Sequence, residues 1–385
     1  MQTPVYLDYH ATTPVDRRVL AAMSPYFTTQ FGNPASRHHF GWQAEAAVAH
    51  ARGQLAKLIG AAASEIIFTS GATESNNLAL KGVLRRRPSG HLITVCTEHH
   101  AILDPAKSLA RAGYELTLLP VAPDGRLNLD QLRSAIKPQT VLISVMAANN
   151  ETGVLQDMPA IGRMAHERGI LLHTDAAQAA GKIPLDCAAW GVDLASISGH
   201  KIYAPKGIGA LYLRRGAVPG LAAEIEGGGQ EGGLRSGTLN VPGIVALGEA
   251  AALAQQEMPA ENPRLAALRD RLKDRLLAAL AGVRINGSLA HRLPQNLNIS
   301  FDGVDGERLM MELADLAVSA GSACSSAGGG PSYVLLAMGV PRDLAQSALR
   351  FGLGRFTTEE EVDFAAARVI TAVRALRPAA STSLA

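Results

Sequence analysis

Two residues carry the most specific chemistry in this chain: Lys201, in the run Ser196-Ile197-Ser198-Gly199-His200-Lys201, and Asp175, in His173-Thr174-Asp175-Ala176-Ala177-Gln178. An amine can hold an aldehyde as an imine, and a carboxylate can keep a pyridine nitrogen protonated; pyridoxal phosphate chemistry needs both. Taken singly, each has a plain alternative, a solvated surface lysine and the N-cap of a helix. Lys201, however, stands between the polar clusters Ser198-Gly199-His200 and Pro205-Lys206-Gly207 in an otherwise apolar stretch. Burial there disfavours the charged amine and makes it a nucleophile. Together the pair favours the coenzyme reading.

A third feature is the stretch Thr69-Ser70-Gly71-Ala72-Thr73-Glu74-Ser75-Asn76-Asn77, which follows a β-type run and opens a helical one. The free N–H groups and positive dipole end of such a helix suit a phosphate. A simple capping box reads the same way, and no Walker loop is present.

These residues need a scaffold. From 64 to 213 the chain alternates short β-type runs (Ile66-Ile67-Phe68, Leu92-Ile93-Thr94-Val95, Val141-Leu142-Ile143-Ser144-Val145, Ile170-Leu171-Leu172) with helical stretches. That pattern predicts an α/β domain with a mainly parallel sheet, whose ligands sit at the strands' carboxyl ends. The polar clusters 70–74, 98–100, 149–152 and 175–178 fall at those ends. A long helix over 35–59 closes at Gly60, and helical sequence over 241–257 stops short of Pro259 and Pro263, which predicts a break near 260. We expect a large domain over 15–258 and a smaller α/β domain over 259–385, with the strip 1–14 joined to it.

With 385 residues, 47% hydrophobic and a net charge of +2, the chain is sized for two domains and too balanced in charge for a nucleic-acid surface. Residues 1–18 lack the apolar core of a secretory signal, and no apolar run is long enough to cross a bilayer, so no membrane association and a cytoplasmic location are expected. The three cysteines, Cys96, Cys187 and Cys324, form no close pair, which fits a reducing compartment. Cys96 and Cys187 read as packing thiols. The histidine pairs His38-His39 and His99-His100 have no second ligand cluster, so no metal site is assigned.

The ordered segments Tyr6-Leu7-Asp8-Tyr9-His10-Ala11-Thr12-Thr13-Pro14, Phe31-Gly32-Asn33-Pro34-Ala35-Ser36, Thr69 to Glu74, Thr97-Glu98-His99, Asn149-Asn150-Glu151, Ser198 to Lys201, Arg235-Ser236-Gly237-Thr238 and Gly321-Ser322-Ala323-Cys324 resemble the cysteine desulfurases of the NifS/IscS type. The resemblance implies the PLP-dependent transferase fold type I of class V aminotransferases. By that resemblance Lys201 holds the coenzyme aldehyde, Asp175 pairs with its ring nitrogen, and Gln178 and Asn150 approach its ring hydroxyl. His99 stacks on the ring and shuttles protons. Ala72, Thr73, Ser198 and His200 cradle its phosphate, and Thr238 reaches the phosphate of the other subunit in a homodimer. Asn33 and Arg350 grip the substrate carboxylate.

The implied reaction converts L-cysteine to L-alanine and leaves sulfur on Cys324 as a persulfide, for a sulfur-acceptor protein in iron–sulfur cluster assembly or thiolation. Cys324 lies in a small, polar, glycine-rich stretch suited to mobility. It is the residue that separates this reading from a class V aminotransferase or carbon–nitrogen lyase; a selenocysteine lyase shares the coenzyme site, and a silent sulfur-relay scaffold shares only the fold. Two departures stand out. His10 occupies a position where relatives often carry Ser or Asn, and the chain stops soon after its last helix, which weakens the inference of delivery to an iron–sulfur scaffold.

Overall fold

The computed structural model describes residues 3–320 and 330–377. Its central sheet has seven strands: β2 (Ile66–Thr69), β3 (His91–Val95), β4 (Glu115–Leu119), β5 (Thr140–Ser144), β6 (Leu171–Asp175), β7 (Leu194–Ser198) and β8 (Gly209–Leu213). The order is β2-β8-β7-β6-β5-β3-β4, and only β8 runs against the rest. All the other strands therefore deliver their carboxyl ends to one edge.

Alternation along each strand feeds two faces. Ile66 and Phe68, Ile93 and Val95, and Ala195 and Ile197 enter one core with the helices His39–Leu58 and Val241–Ala279. Ile67, Leu92, Leu142 and Leu194 enter another beneath the helices Ala72–Leu84 and His100–Arg111. Strands buried on both sides explain the continuous apolar runs of the sequence.

A separate core gathers the antiparallel sheet of β9 (Val283–Ile285), β10 (Asn296–Phe301), β12 (Ser319–Ala320) and β13 (Leu349–Gly352) with the helix Glu359–Leu376. Val5 and Leu7 belong to this core, and β1 (Val5–Tyr6) pairs with β11 (Leu316–Ala317). The N-terminal strip thus packs with the C-terminal residues while its continuation crosses toward the large sheet.

One expectation fails. The helix Val241–Ala279 runs unbroken through Pro259 and Pro263. Proline removes one backbone donor each time, yet both ends of this helix are held by apolar stripes: Ile244, Leu247 and Ala251 in the first core, Leu265, Leu268, Leu272 and Leu276 in the other. At about 1.5–3 kcal/mol per buried leucine, packing outweighs the lost bonds. The helix 35–59 of the sequence reading starts later, at His39, where the His38 side chain accepts from Gly41 N–H. It ends at Leu58, with Gly60 at φ +65° beyond it.

The helix Ala72–Leu84 starts where Gly71 passes Gly209 of β8. A Cβ on Gly209 would lie 2.5 Å from Gly71 Cα and 2.5 Å from Ile197 O. Gly209→Ala is expected to cost about 1–3 kcal/mol in urea unfolding and to displace the start of that helix, whereas Gly207→Ala, open around its Cβ but at φ +85°, costs only the strain of its backbone.

Candidate active site

Asp175 ends β6 with its carboxylate buried. Asn76 Nδ2 donates to Oδ2 at 2.8 Å, and Ala177 N–H donates to Oδ1 at 2.9 Å. Two donors hold the carboxylate aimed. Lys201 closes the short turn Gly199–Lys201 after β7. Its Nζ donates to His10 O at 2.5 Å and to Ala11 O at 2.8 Å, so the N-terminal segment supplies the amine's resting place.

Ala72 and Thr73 form the first turn of the helix Ala72–Leu84, where N–H groups have no intrahelical partner. Glu74, in the same turn, accepts from Ser70 N–H at 2.8 Å and from Arg235 Nε at 2.8 Å. Burial pushes its pKa up, but Arg235 and Ser70 outweigh that and hold it below the ordinary carboxylate value. Facing this turn, Ser198 ends β7 and His200 bonds Thr12 Oγ1 through Nδ1 at 3.1 Å. Burial, helped by Lys201 and Lys206, lowers the His200 pKa to about 4. An anion here meets a helix end, a hydroxyl and a neutral imidazole.

His99 caps the helix His100–Arg111: its Nδ1 accepts from Ala101 N–H at 3.0 Å. That bond leaves the proton of the neutral ring on Nε2. Burial, with Lys201 and His100, holds the pKa below its ordinary value against the pull of Asp175. Arg350, 3% exposed, reaches in from β13. It donates to Asn150 O at 2.9 Å, to Asp8 Oδ1 at 2.8 Å and to Ser319 Oγ at 3.1 Å, while its buried Nε has no hydrogen-bond partner among the described residues. Asn150 Oδ1 is in the same condition. Unpaired buried polar atoms at a cavity point to a polar ligand.

Ala72, Thr73, His99, Asn150, Asp175, Gln178, Ser198, His200, Lys201 and Arg350 all line one cavity of about 450 Å³, of a size for a small cofactor. Asn33 and Thr238 lie elsewhere. Asn33 is exposed and bonds Ala35 N–H beside a groove lined by Ala35, Arg52 and Glu231, and Thr238 is exposed near it. Cys324 lies outside the described residues. The chain on either side of it is anchored at the site, Ser319 on Arg350 and Ser332 on the Glu151 carboxylate. Cys187 is buried, and burial raises its thiol pKa; the same holds less strongly for half-buried Cys96. Among the described residues no group of His, Cys, Asp and Glu is arranged to hold a metal, and no helix is long and apolar enough to cross a membrane.

Sequence reasoning missed several supporting residues. Asn76 is fully buried on a helix, where an apolar residue is the norm, and its position was the available signal. Ser332 and Asn296 gave none, because their partners are distant in the chain, and Lys182 passed unnoticed beside Gln178.

A mainly parallel sheet with a lysine, a carboxylate and a helix end meeting at its carboxyl edge defines the class V aminotransferase architecture. The class V aminotransferase family model matches residues 5–364, and the chain belongs to that family. Within it the chain falls among the cysteine desulfurases: it is 58% identical over 380 residues to "Cysteine desulfurase IscS" of Anaeromyxobacter dehalogenans, covering 98% of this chain and 94% of that one. The Rickettsia bellii protein of the same name is 52% identical, over 97% and 92% of the two chains. Among solved structures, a NifS-like protein superposes with a TM-score of 0.90 at 38% identity, over 97% and 100% of the chains. A structure titled "SspA in complex with cysteine" does so at 0.82 and 36%, over 92% and 99%.

The anchor at Glu151 has a pH signature. Burial raises its pKa to about 7, against the smaller lowering effects of Ser332 and Arg350. A folded pKa above the unfolded one means that stability is fully present below about pH 4.5 and is lost as pH rises through about 7. Relative to Glu151→Gln, the wild type should lose on the order of 3 kcal/mol between pH 4 and pH 9, read by chemical denaturation at each pH.

Proposed function

We propose that this chain is a pyridoxal 5'-phosphate-dependent cysteine desulfurase that converts L-cysteine to L-alanine and passes the sulfur, through a persulfide on Cys324, to an acceptor protein. The observation that carries the reading is the meeting of Lys201, Asp175 and His99 in one cavity, in a chain 58% identical to a protein named for that reaction.

The cavity suits the coenzyme: a cradle of Ala72, Thr73, Ser198 and His200 for its phosphate, Asp175 for its ring nitrogen, and the Lys201 amine for its aldehyde. When bound, the coenzyme stabilises the electron pair left on the substrate's α carbon after proton loss. Asp175, fixed by Asn76 and Ala177, would hold a proton on the ring nitrogen. Lys201 Nζ would be the base that takes the α proton of cysteine. The Nε–H of Arg350, without a partner among the described residues, is available to the substrate carboxylate. His99, neutral with its proton on Nε2, hands over or receives a proton at that atom.

The Cys324 thiolate then forms a bond to the substrate sulfur as the carbon–sulfur bond breaks, and the β carbon takes a proton. Cysteine and a thiol become alanine and a persulfide, with no outside oxidant. The bonds of Ser319 with Arg350, which lines the cavity, and of Ser332 with Glu151 support this role for the segment between them.

A homodimer completes the proposal. Phe27, Phe31, Phe40 and Trp42 are exposed, with the Phe31 and Phe40 rings 5.5 Å apart, beside Asn33. An apolar patch of this kind fits a second copy, to which Thr238 would lend its hydroxyl. The acceptor belongs to cluster assembly or thiolation, and the cytoplasm is the compartment that keeps Cys324 reduced.

Incubation of the coenzyme-loaded protein with cysteine should yield alanine, with labelled sulfur on the peptide bearing Cys324. Cys324→Ala should lose at least 100-fold in alanine formation and keep its bound coenzyme, because the thiol is the nucleophile of the sulfur-transfer step. Label on another cysteine overturns the mechanism. The double variant Phe31→Glu/Trp42→Glu should sediment as a monomer and bind the coenzyme more weakly.

A further inference from the structure

A second cavity, of about 20 Å³, is bordered by Lys182, Lys201, Glu261 and Gln295. Lys201 also borders the larger cavity at the sheet's edge, so the two meet at that side chain. A space of about 10–15 Å³ is enough for one water molecule, provided that a few polar groups surround it. Here they do. Gln295 is 4% exposed, and neither its amide oxygen nor its amide nitrogen has a hydrogen-bond partner among the described residues. A buried amide in that condition is rare, because both of its ends lose water without recovering a bond. Lys182 gives one Nζ hydrogen to Gln178 Oε1 at 2.7 Å, and a lysine has further hydrogens to give.

Glu261 opens the cavity to the surface: its side chain is 13% exposed, and its ion pair with Arg355 is long, at 3.5 Å. Glu261 and Asn262 stand between Pro259 and Pro263 of the long helix, and Asn262 Nδ2 donates to Lys182 O at 2.9 Å, which fastens the helix to the cavity wall. Two lysines disfavour a cation in this space, and the Glu261 carboxylate disfavours an anion. A neutral molecule of one heavy atom that both donates and accepts fits.

We propose that this cavity holds a water molecule, bound by Gln295 and Lys182, through which the Lys201 amine exchanges protons with Glu261 and so with solvent. The inference rests on the reading of Lys201 as the base that takes the α proton of the substrate. Having taken it, Lys201 is an ammonium. One proton then passes from Lys201 to the water as the water passes one to the Glu261 carboxylate, and the resulting carboxylic acid releases it to solvent. The amine is left neutral, and the reverse sequence reloads it. Burial, with Lys201 and Arg350, lowers the Lys182 pKa well below its ordinary value, which lets its amine accept from the water as well as donate to it.

The test follows one hydrogen. Coenzyme-loaded protein is given ordinary cysteine in heavy water, and the alanine formed early in the reaction is assayed by mass for protium kept at its α carbon. The wild type should keep little, because the relay washes the substrate's proton out of Lys201. Gln295→Leu, similar in volume but unable to bond the water, and Glu261→Gln, unable to carry a proton, should each raise the retained fraction by about threefold or more. A merely structural role slows alanine formation without changing that fraction. An unchanged fraction in both variants overturns the relay. A crystal structure of the wild type should show water at about 3 Å from the Gln295 amide, and a dry cavity also overturns the proposal. Failure of the wild type to form alanine overturns the desulfurase reading instead, and the crystal structure then still decides whether the water is there.

Discussion

The Lys201 amine rests on the carbonyl oxygens of His10 and Ala11, residues that follow a strip packed in the C-terminal core. The nucleophile stands on the large sheet, yet its position depends on a segment anchored elsewhere. Thr13 binds His200 O through both its N–H and its hydroxyl, and Tyr9 N–H reaches Gly352 O, so the same segment is sewn to both sides. The His10 and Ala11 carbonyl oxygens take two of the hydrogens of a half-buried amine. Packing of Val5 and Leu7 at the far end is thus a condition for chemistry at Lys201.

The rest of the site follows the same rule, by which each functional group is held by a second one from a distant part of the chain. Asp175 is held by Asn76, Arg350 by Asp8 and Ser319, Glu151 by Ser332. Arg355 extends the pattern outside the cavity, stacked 4.4 Å over Tyr203 and paired with Asp16 at 2.8 Å. Buried charges of this kind are costly alone and tolerable when several donors and acceptors share them.

This arrangement explains what was legible beforehand. Strand ends carry their polar clusters next to apolar runs, so Asp175, Ser198, His200 and Lys201 stood out from local pattern alone, and the sheet they border could be read from alternation. The roles of Asn150, Gln178 and Arg350 came with the family resemblance. Asn76 and Asn296 escaped because a hydrogen bond between residues far apart leaves no periodicity. The prolines misled for a different reason: the rule that proline ends a helix is local, and the two apolar stripes that override it at Pro259 and Pro263 belong to separate cores.

That helix, 39 residues from Val241 to Ala279, acts as a shared spine. Two bodies joined by a slack linker can swing apart to admit a substrate. Here a wide swing would have to bend a rod of about 58 Å, at 1.5 Å per residue, against the leucines clamped at either end. The only soft places along it are the two prolines, where a backbone bond is already missing. Along this spine the two cores are held in register.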